Sequence, residues 1–243
     1  MTWRYAVLAL FAATLAGCAH HTAGTATWPG ARLDKVVLGA ADFPPGVQYE
    51  RLTDDVGQPN GGLGAPSMRS VPAGCSDGLT QVIADSGERG PGSAAEYLLG
   101  YDGARMVITV LTWPLDLDRL AATANRCASF ETFFDPSSPG IPITTTKLAS
   151  PREHALVYQQ TMRLGDIDNS VYFSFENVGA MAVFGVAFPT PNPTVAVKGS
   201  LPQTFLDVTA NQVRRVESAL ISITCSRGDR QKSFLMPSEN FNV

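Results

Sequence analysis

The strongest local signal in the chain is residues 96–113, which read EYLLGYDGARMVITVLTW. Asp102-Gly103 stands between two runs rich in strand-forming residues, and this dipeptide is typical of a two-residue type I′ turn. The pattern therefore predicts an antiparallel hairpin. Its second strand is apolar on both faces, with Met106, Ile108 and Val110 on one and Val107, Leu111 and Trp113 on the other. We expect this strand to lie in the middle of a sheet that is covered on both sides.

A helix is predicted directly after this hairpin. Trp113-Pro114 ends the strand, and Asp116 is a typical N-cap residue. The apolar side chains that follow recur at helical spacing: Leu117, Leu120, Ala121, Ala124 and Cys127. Cys127 is therefore expected on the buried face of the last turn of this helix.

The rest of the folded part alternates short strands with turns. Strands are predicted at 47–52, 128–134, 141–148, 155–162, 171–176 and 180–188, and helices after Ser76 or Asp77 and after Ser200, where Gln203 completes a capping box. Residues 54–74 are rich in glycine and proline and are predicted to form a long loop. Together these elements predict an α+β fold, an antiparallel sheet of about six or seven strands with about three helices packed mainly on one face.

The N-terminus reads as a secretory leader. Arg4 precedes an apolar run that is too short to span a bilayer as a mature helix, and small residues follow it. Leu15-Ala16-Gly17-Cys18 matches the bacterial lipobox, in which the leader is cut before a cysteine whose sulfur then carries diacylglycerol, with acyl chains such as palmitate. The alternative is an ordinary signal peptide that ends beside a cysteine. We predict a lipoprotein signal at 1–17 and lipid attachment at Cys18.

Three further segments follow the leader. Residues 18–33 are small and polar without periodicity, which predicts a flexible tether. Residues 34–225 are expected to form a single α+β domain, and 226–243 a polar C-terminal tail. The predicted location is the extracytoplasmic face of the plasma membrane, within the cell envelope.

The charge of the chain excludes some partners. The formal net charge is −4, and it becomes −5 when Arg4 leaves with the leader, because the leader holds no other charged residue. An acidic chain without a basic stripe is not expected to bind nucleic acid or to use a polybasic membrane patch. The predicted contact with the plasma membrane is therefore the N-terminal lipid alone.

No pattern of catalytic or metal-binding residues stands out. His154 is the single histidine outside the tether, and no serine lies in a nucleophile elbow of the Gly-x-Ser-x-Gly kind. No cluster of histidine, cysteine, aspartate or glutamate has zinc spacing. We therefore expect no enzyme activity, no metal and no cofactor, and we interpret His154 as a surface residue at the start of a strand.

The cysteines offer a structural role. Once Cys18 carries a lipid, Cys75, Cys127 and Cys225 remain in an oxidising compartment, and spacing alone does not choose among their three pairings. A bond between Cys75 and Cys127 would join two helices to one region of the sheet and contribute about 4 kcal/mol by loop closure. The competing interpretation pairs Cys225 with one of them.

Three motifs carry a resemblance to a known group. They are Pro72-Ala73-Gly74-Cys75, Asn125-Arg126-Cys127-Ala128-Ser129-Phe130 and Leu201-Pro202-Gln203-Thr204-Phe205-Leu206. The chain resembles mycobacterial and related actinobacterial cell-envelope lipoproteins with a domain of unknown function, and more distantly the extracellular sensor domain of the PknH receptor kinase. The resemblance implies a Cys75–Cys127 disulfide and an antiparallel sheet with helices packed on it. The PknH-type domain has a cleft suggestive of ligand binding and a second disulfide, for which only Cys225 is left in this chain.

Three functions are considered on these grounds. The first is a lipid-anchored binding module for a small or lipidic ligand, favoured by the lipobox, the lack of catalytic groups and the long loop at 54–74. The alternative is a protein-interaction or sensor-accessory lipoprotein whose partner is another envelope protein. The third is a hydrolase that acts through His154, which we expect least.

Overall fold

The computed structural model describes residues 29–52, 68–86, 92–135, 137–190 and 201–232, with the backbone alone at 29–32 and 222–232. The predicted leader, Cys18 and most of the predicted tether lie outside the described residues. The same holds for most of the predicted loop at 54–74, for Ser200 and for the end of the predicted tail.

The described residues form one antiparallel sheet of nine strands. The strands are β1 (Gln48–Leu52), β2 (Arg69–Val71), β3 (Ala94–Tyr101), β4 (Ala104–Leu111), β5 (Ser129–Phe133), β6 (Ile141–Leu148), β7 (Leu156–Leu164), β8 (Ile167–Val178) and β9 (Met181–Pro189). Their order across the sheet is β1-β3-β4-β9-β8-β7-β6-β5-β2. Both edge strands are short, which limits the unpaired backbone that each edge presents.

Four α-helices accompany the sheet in the described residues, and a 3₁₀ turn at Ala40–Asp42 follows the first of them. The helices are α1 (Pro29–Val36), α2 (Gly78–Asp85), α3 (Leu117–Arg126) and α4 (Gln203–Lys232). The prediction of six or seven strands and three helices is therefore wrong. Two short elements account for much of the difference. Strand β2 lies inside the segment assigned to a loop, and α1 begins inside the segment assigned to the tether.

The helices lie on both faces of the sheet, so the prediction of one main face is also wrong. Helices α1 and α4 contribute Leu33, Phe205 and Val213 to a core that also holds Met106 and Ile108 of β4. Helices α2 and α3 pack on the opposite face, where Leu79 and Leu120 belong to a second core. Strand β4 is thus covered on one side, and on the other side it is covered at Leu111 but not at Val107, so its doubly apolar sequence predicted the cover only in part.

The predicted hairpin is confirmed. Asp102 and Gly103 have φ angles of 54° and 71°, the two positive values that a type I′ turn requires. The turn pairs Tyr101 with Ala104 and fixes the register of β3 on β4. The hydroxyl of Thr204, in the first turn of α4, donates a hydrogen bond to the Asp102 carboxylate. The turn therefore also positions the N-terminus of α4.

Helix α4 lies close against the sheet and holds α1 in place. An added Cβ at Gly185 of β9 would lie 2.9 Å from Phe205 Cε2, so no side chain fits where the helix crosses the strand. The fully buried amide of Gln212 donates to the Val36 carbonyl (2.7 Å) and accepts from the Leu38 N–H (3.0 Å). These two bonds pair the backbone that leaves α1.

Helix α4 continues to Lys232, past residue 225, where the domain was predicted to end. The helix begins at Gln203, two residues later than a capping box of Ser200 with Gln203 requires, because that box makes Gln203 the third helical residue. None of the helices in the described residues is both long and apolar enough to cross a membrane.

Candidate ligand-binding cleft

Part of the sheet face that carries α2 and α3 is not covered by the described helices. Leu79 and Ile83 of α2 share a core with Leu111 and Phe175 at one end of this face. Four residues back along β4, Val107 is only half-buried, as is its cross-strand neighbour Val186. The uncovered sheet and the N-terminal end of α2 enclose a cleft of about 400 Å³. This volume lies within the range of small-molecule sites in proteins.

The floor of the cleft follows the strand register. Side chains from neighbouring strands stand in three successive rows on this face: Glu96, Thr109 and Phe184, then Val107, Val186 and Phe173, then Phe188, Val171 and Gln160. Alternate residues of a strand point to one face, so the rows are about 7 Å apart. Phe184 and Phe173 are buried and form the base, while the valines are accessible from the cleft. The floor is therefore mostly apolar, with polar groups at two corners.

Glu96 is the charged group at the deep corner. It lines the cleft together with the start of α2, and the residue is 7% exposed. The hydroxyl of Thr109 donates a hydrogen bond of 2.7 Å to its Oε2 atom. Burial raises the pKa of the Glu96 carboxyl, and the Thr109 hydrogen bond opposes that rise. A carboxylate accepts up to about four hydrogen bonds, so this one has acceptor capacity left for a ligand.

The rim of the cleft is the segment that leads into α2. Asp77 occupies the N-cap position, but its carboxylate accepts no hydrogen bond from the first helical turn. The Thr80 hydroxyl donates to the Asp77 carbonyl (2.9 Å), and the Ser76 hydroxyl donates to the Met68 carbonyl (2.7 Å). Asp77 therefore adds a second acidic group to the cleft, at its mouth.

A disulfide and an arginine hold this rim over the sheet. Cys75 and Cys127 are bonded, with their Cα atoms 5.5 Å apart, and Cys75 itself lines the cleft. The Arg126 guanidinium donates to the carbonyls of Ala73 (2.9 Å) and Gly74 (3.2 Å). The Cys75 N–H donates to the hydroxyl of Ser70 (2.9 Å). The end of α3 and strand β2 thus fix the position of the cleft rim.

The structure describes some of the site residues predicted from the sequence, and others lie outside the described part. The structure pairs Cys75 with Cys127, as the resemblance implied, whereas the side chain of Cys225 and the whole of Cys18 lie outside the described part. His154 is exposed in the turn before β7. Among the described residues it makes no hydrogen bond to a serine or a carboxylate that would form a catalytic pair.

Glu96 is the site residue that the sequence interpretation missed. A signal for it was present, because a two-residue turn at Asp102-Gly103 places residue 96 directly opposite residue 109. Glu96 is the one charged residue of the apolar strand β3, and a hydroxyl residue faces it across the hairpin. A charged group in that setting points to a buried polar pair.

Metal binding finds no support in this part of the chain. Within the described ranges, no group of three or more histidine, cysteine, aspartate or glutamate side chains could hold a metal ion.

The fold has counterparts among solved structures. No family model matches the chain, and no curated protein matches it significantly. The extracellular domain of PknH from Mycobacterium tuberculosis superposes with a TM-score of 0.50 at 12% identity, over 80% of this chain and 100% of that domain. An uncharacterised protein of Mycobacterium smegmatis, the Rv0999 ortholog, gives a TM-score of 0.42 at 12% identity, over 73% of this chain and 92% of that one.

The likeness to the PknH domain shows a common fold and nothing finer at this identity. It agrees with the resemblance derived from the three sequence motifs. Membership of a lipoprotein family stays a prediction.

Proposed function

We propose that this protein is a cell-envelope binding module, held at the extracytoplasmic face of the plasma membrane by a lipid on Cys18, whose cleft takes up a small or lipidic molecule. The observation that carries the proposal is the apolar cleft between α2 and the sheet, with a buried carboxyl group at its base. Apolar pockets with a few placed polar groups are the usual form of small-molecule sites.

Two further observations support the proposal. The disulfide and Arg126 fix the cleft rim, so little order has to be gained when a ligand binds. The likeness in fold to an extracellular domain, together with the predicted leader and lipobox, supports a location outside the cytoplasm. No catalysis is part of the proposed function.

Native mass spectrometry of the chain purified from an actinobacterial host tests ligand uptake. We expect a bound species that organic extraction releases. Val186→Trp would fill the middle row of the floor and abolish the bound species, while Ile167→Trp, at a site that is 66% exposed, would keep it. A ligand-free wild-type chain, or equal occupancy in both variants, would contradict the proposal.

A separate experiment tests the anchor. Cys18→Ala removes the sulfur that would carry diacylglycerol, so the variant should lose metabolic labelling with an alkyne fatty acid and partition away from membranes. Cys225→Ala is the matched control and should retain both the label and the membrane association. Labelling that persists in Cys18→Ala would overturn the proposed anchor.

One observation favours the alternative of a protein-interaction role. Phe134 is 72% exposed and, with Leu164, flanks a shallow groove at the ends of β5 and β7. Exposed apolar patches of this kind often bind another protein. The partner would be an envelope protein with an apolar surface. A photo-crosslinking residue at position 134 should then capture one reproducible partner in cells, and a Phe134→Ser variant should compete poorly for that partner.

A further inference from the structure

The charged side chains that line the cleft are all acidic. Among the described residues that line it, Glu96 and Asp77 are acidic and none is basic. On the same sheet face, Arg105 and Lys147 lie outside the lining and are exposed to solvent, and Glu50 on β1 adds a further acidic group. Arg126 holds the rim through the carbonyls of Ala73 and Gly74 but is not one of the lining residues. The charged side chains that line the cleft are therefore acidic at both its deep corner and its mouth.

The deep carboxyl group lacks a full set of partners. Within the described residues, the hydrogen bond from Thr109 is the one donor to Glu96, although the residue is more than nine-tenths buried. A buried ionised carboxylate is costly unless it is paired with a cation and hydrogen-bonded. A ligand that brings a positive charge and N–H donors would complete this environment.

The walls around Glu96 suit a cation with an apolar body. Phe184 stands in the same row as Glu96, and Phe173 and Phe188 stand in the next two rows. The valines and Phe188, which are only half-buried, offer surface for hydrocarbon. An anionic headgroup, by contrast, would meet two carboxyl groups and no basic side chain among the described lining residues.

We infer that the cleft selects ligands that carry a protonated amine on an apolar body, and that Glu96 is the group that recognises the amine. This inference rests on the proposed function, since it specifies which molecules the same cleft binds. The amine N–H groups donate to the free lone pairs of Glu96, and the hydrocarbon covers the valine and phenylalanine floor.

Three probes with the same hydrocarbon chain test the inference: decylamine, decanol and decanoate. Isothermal titration of the purified chain at neutral pH should give the tightest binding for decylamine, about tenfold or more tighter than decanol, because a charge-assisted hydrogen bond is replaced by a neutral one. Decanoate should bind most weakly. In Glu96→Gln the preference for the amine should disappear while decanol binds as before.

Glu50→Gln is the matched control, since Glu50 is exposed on the same face and should leave the preference intact. Wild-type binding of decanol or decanoate as tight as that of decylamine would overturn the inference and leave the proposed function standing. Equal weakening of all three probes in Glu96→Gln would also overturn it, because the residue would then only shape the cleft. Failure of every probe to bind the wild-type chain would count against the proposed function itself.

Discussion

The hydroxyl of Thr109 on β4 donates a 2.7 Å hydrogen bond to the carboxyl group of Glu96 on β3, and both residues are more than nine-tenths buried. The two stand directly opposite each other because the Asp102-Gly103 turn sets the register of the hairpin. The strongest local signal in the sequence therefore also places the one buried carboxyl group of the cleft floor.

The first prediction concerns the pH dependence of stability. Burial raises the pKa of Glu96, so the folded state holds this proton at pH values where the unfolded chain has released it. The stabilisation is complete below the ordinary glutamate pKa and is lost as the pH rises through the raised value. Urea denaturation at a series of pH values should show this decline in the wild-type chain. Glu96→Gln should remove it, whereas Glu50→Gln should not.

The second prediction links the same titration to binding. A bound ammonium favours the ionised form of Glu96 and lowers its pKa, so the affinity for decylamine should rise as the pH rises through the titration of Glu96. Asp77 is the other acidic group that lines the cleft, and Asp77→Asn should leave the pH at which affinity rises nearly unchanged. The affinity for decanol should not rise in this way. An amine affinity that is flat with pH would argue against a role for Glu96.

The third prediction concerns the Cys75–Cys127 disulfide. The bond closes a loop of 52 residues, and its removal in the double variant Cys75→Ala/Cys127→Ala should lower the free energy of unfolding by about 4 kcal/mol. The variant should also bind cleft ligands more weakly, because the rim loses its link to α3. Urea denaturation of the double variant, and of the wild-type chain with and without reductant, measures the loss of stability. Cys225→Ala serves as the control and should show neither effect.

The fourth prediction contrasts two stacked tyrosines on the opposite face. The rings of Tyr49 and Tyr97 lie 5.5 Å apart, and the Tyr49 hydroxyl donates to the Leu38 carbonyl (3.0 Å). The Tyr97 hydroxyl is buried and finds no partner among the described residues. Tyr49→Phe should therefore cost about 1 kcal/mol, while Tyr97→Phe should be neutral or stabilising. A clear loss of stability in Tyr97→Phe would show that its hydroxyl is hydrogen-bonded in solution.

The sequence predicted the elements that local chemistry encodes. The hairpin follows from the φ > 0 preference of Asp-Gly turns, and the start of α3 follows from Asp116, whose carboxylate accepts from the Arg119 N–H (2.9 Å). Strand β2 could not be found in this way, because its three residues become a strand only by pairing with β5. Long-range pairing leaves no periodic pattern in so short a segment.

The placement of the helices was also beyond the sequence. An amphipathic helix shows which of its sides is buried, but not which face of the sheet it covers. Each of α2, α3 and α4 follows a strand of the same sheet. Helices α2 and α3 nevertheless pack on one face and α4 on the other. The cleft exists because two short helices cover only part of that face. In the sequence, the one sign of the cleft floor was the charged residue Glu96 within an apolar strand. The rim could not be predicted from local sequence, because it depends on a contact between α3 and the segment at Cys75.

The most direct test of the central claim is a methyl NMR titration of the purified chain with decylamine. The valine methyl groups of Val107, Val171 and Val186 line the cleft, whereas Val213 and Val216 belong to α4 and are buried in the core on the other face. We predict saturable chemical-shift changes at the three cleft valines and none at the two valines of α4. In the Val186→Trp variant, the changes at Val107 and Val171 should disappear. Shifts at Val213 and Val216 instead, or no saturable shift at any cleft valine, would contradict the assignment of this cleft as the ligand site.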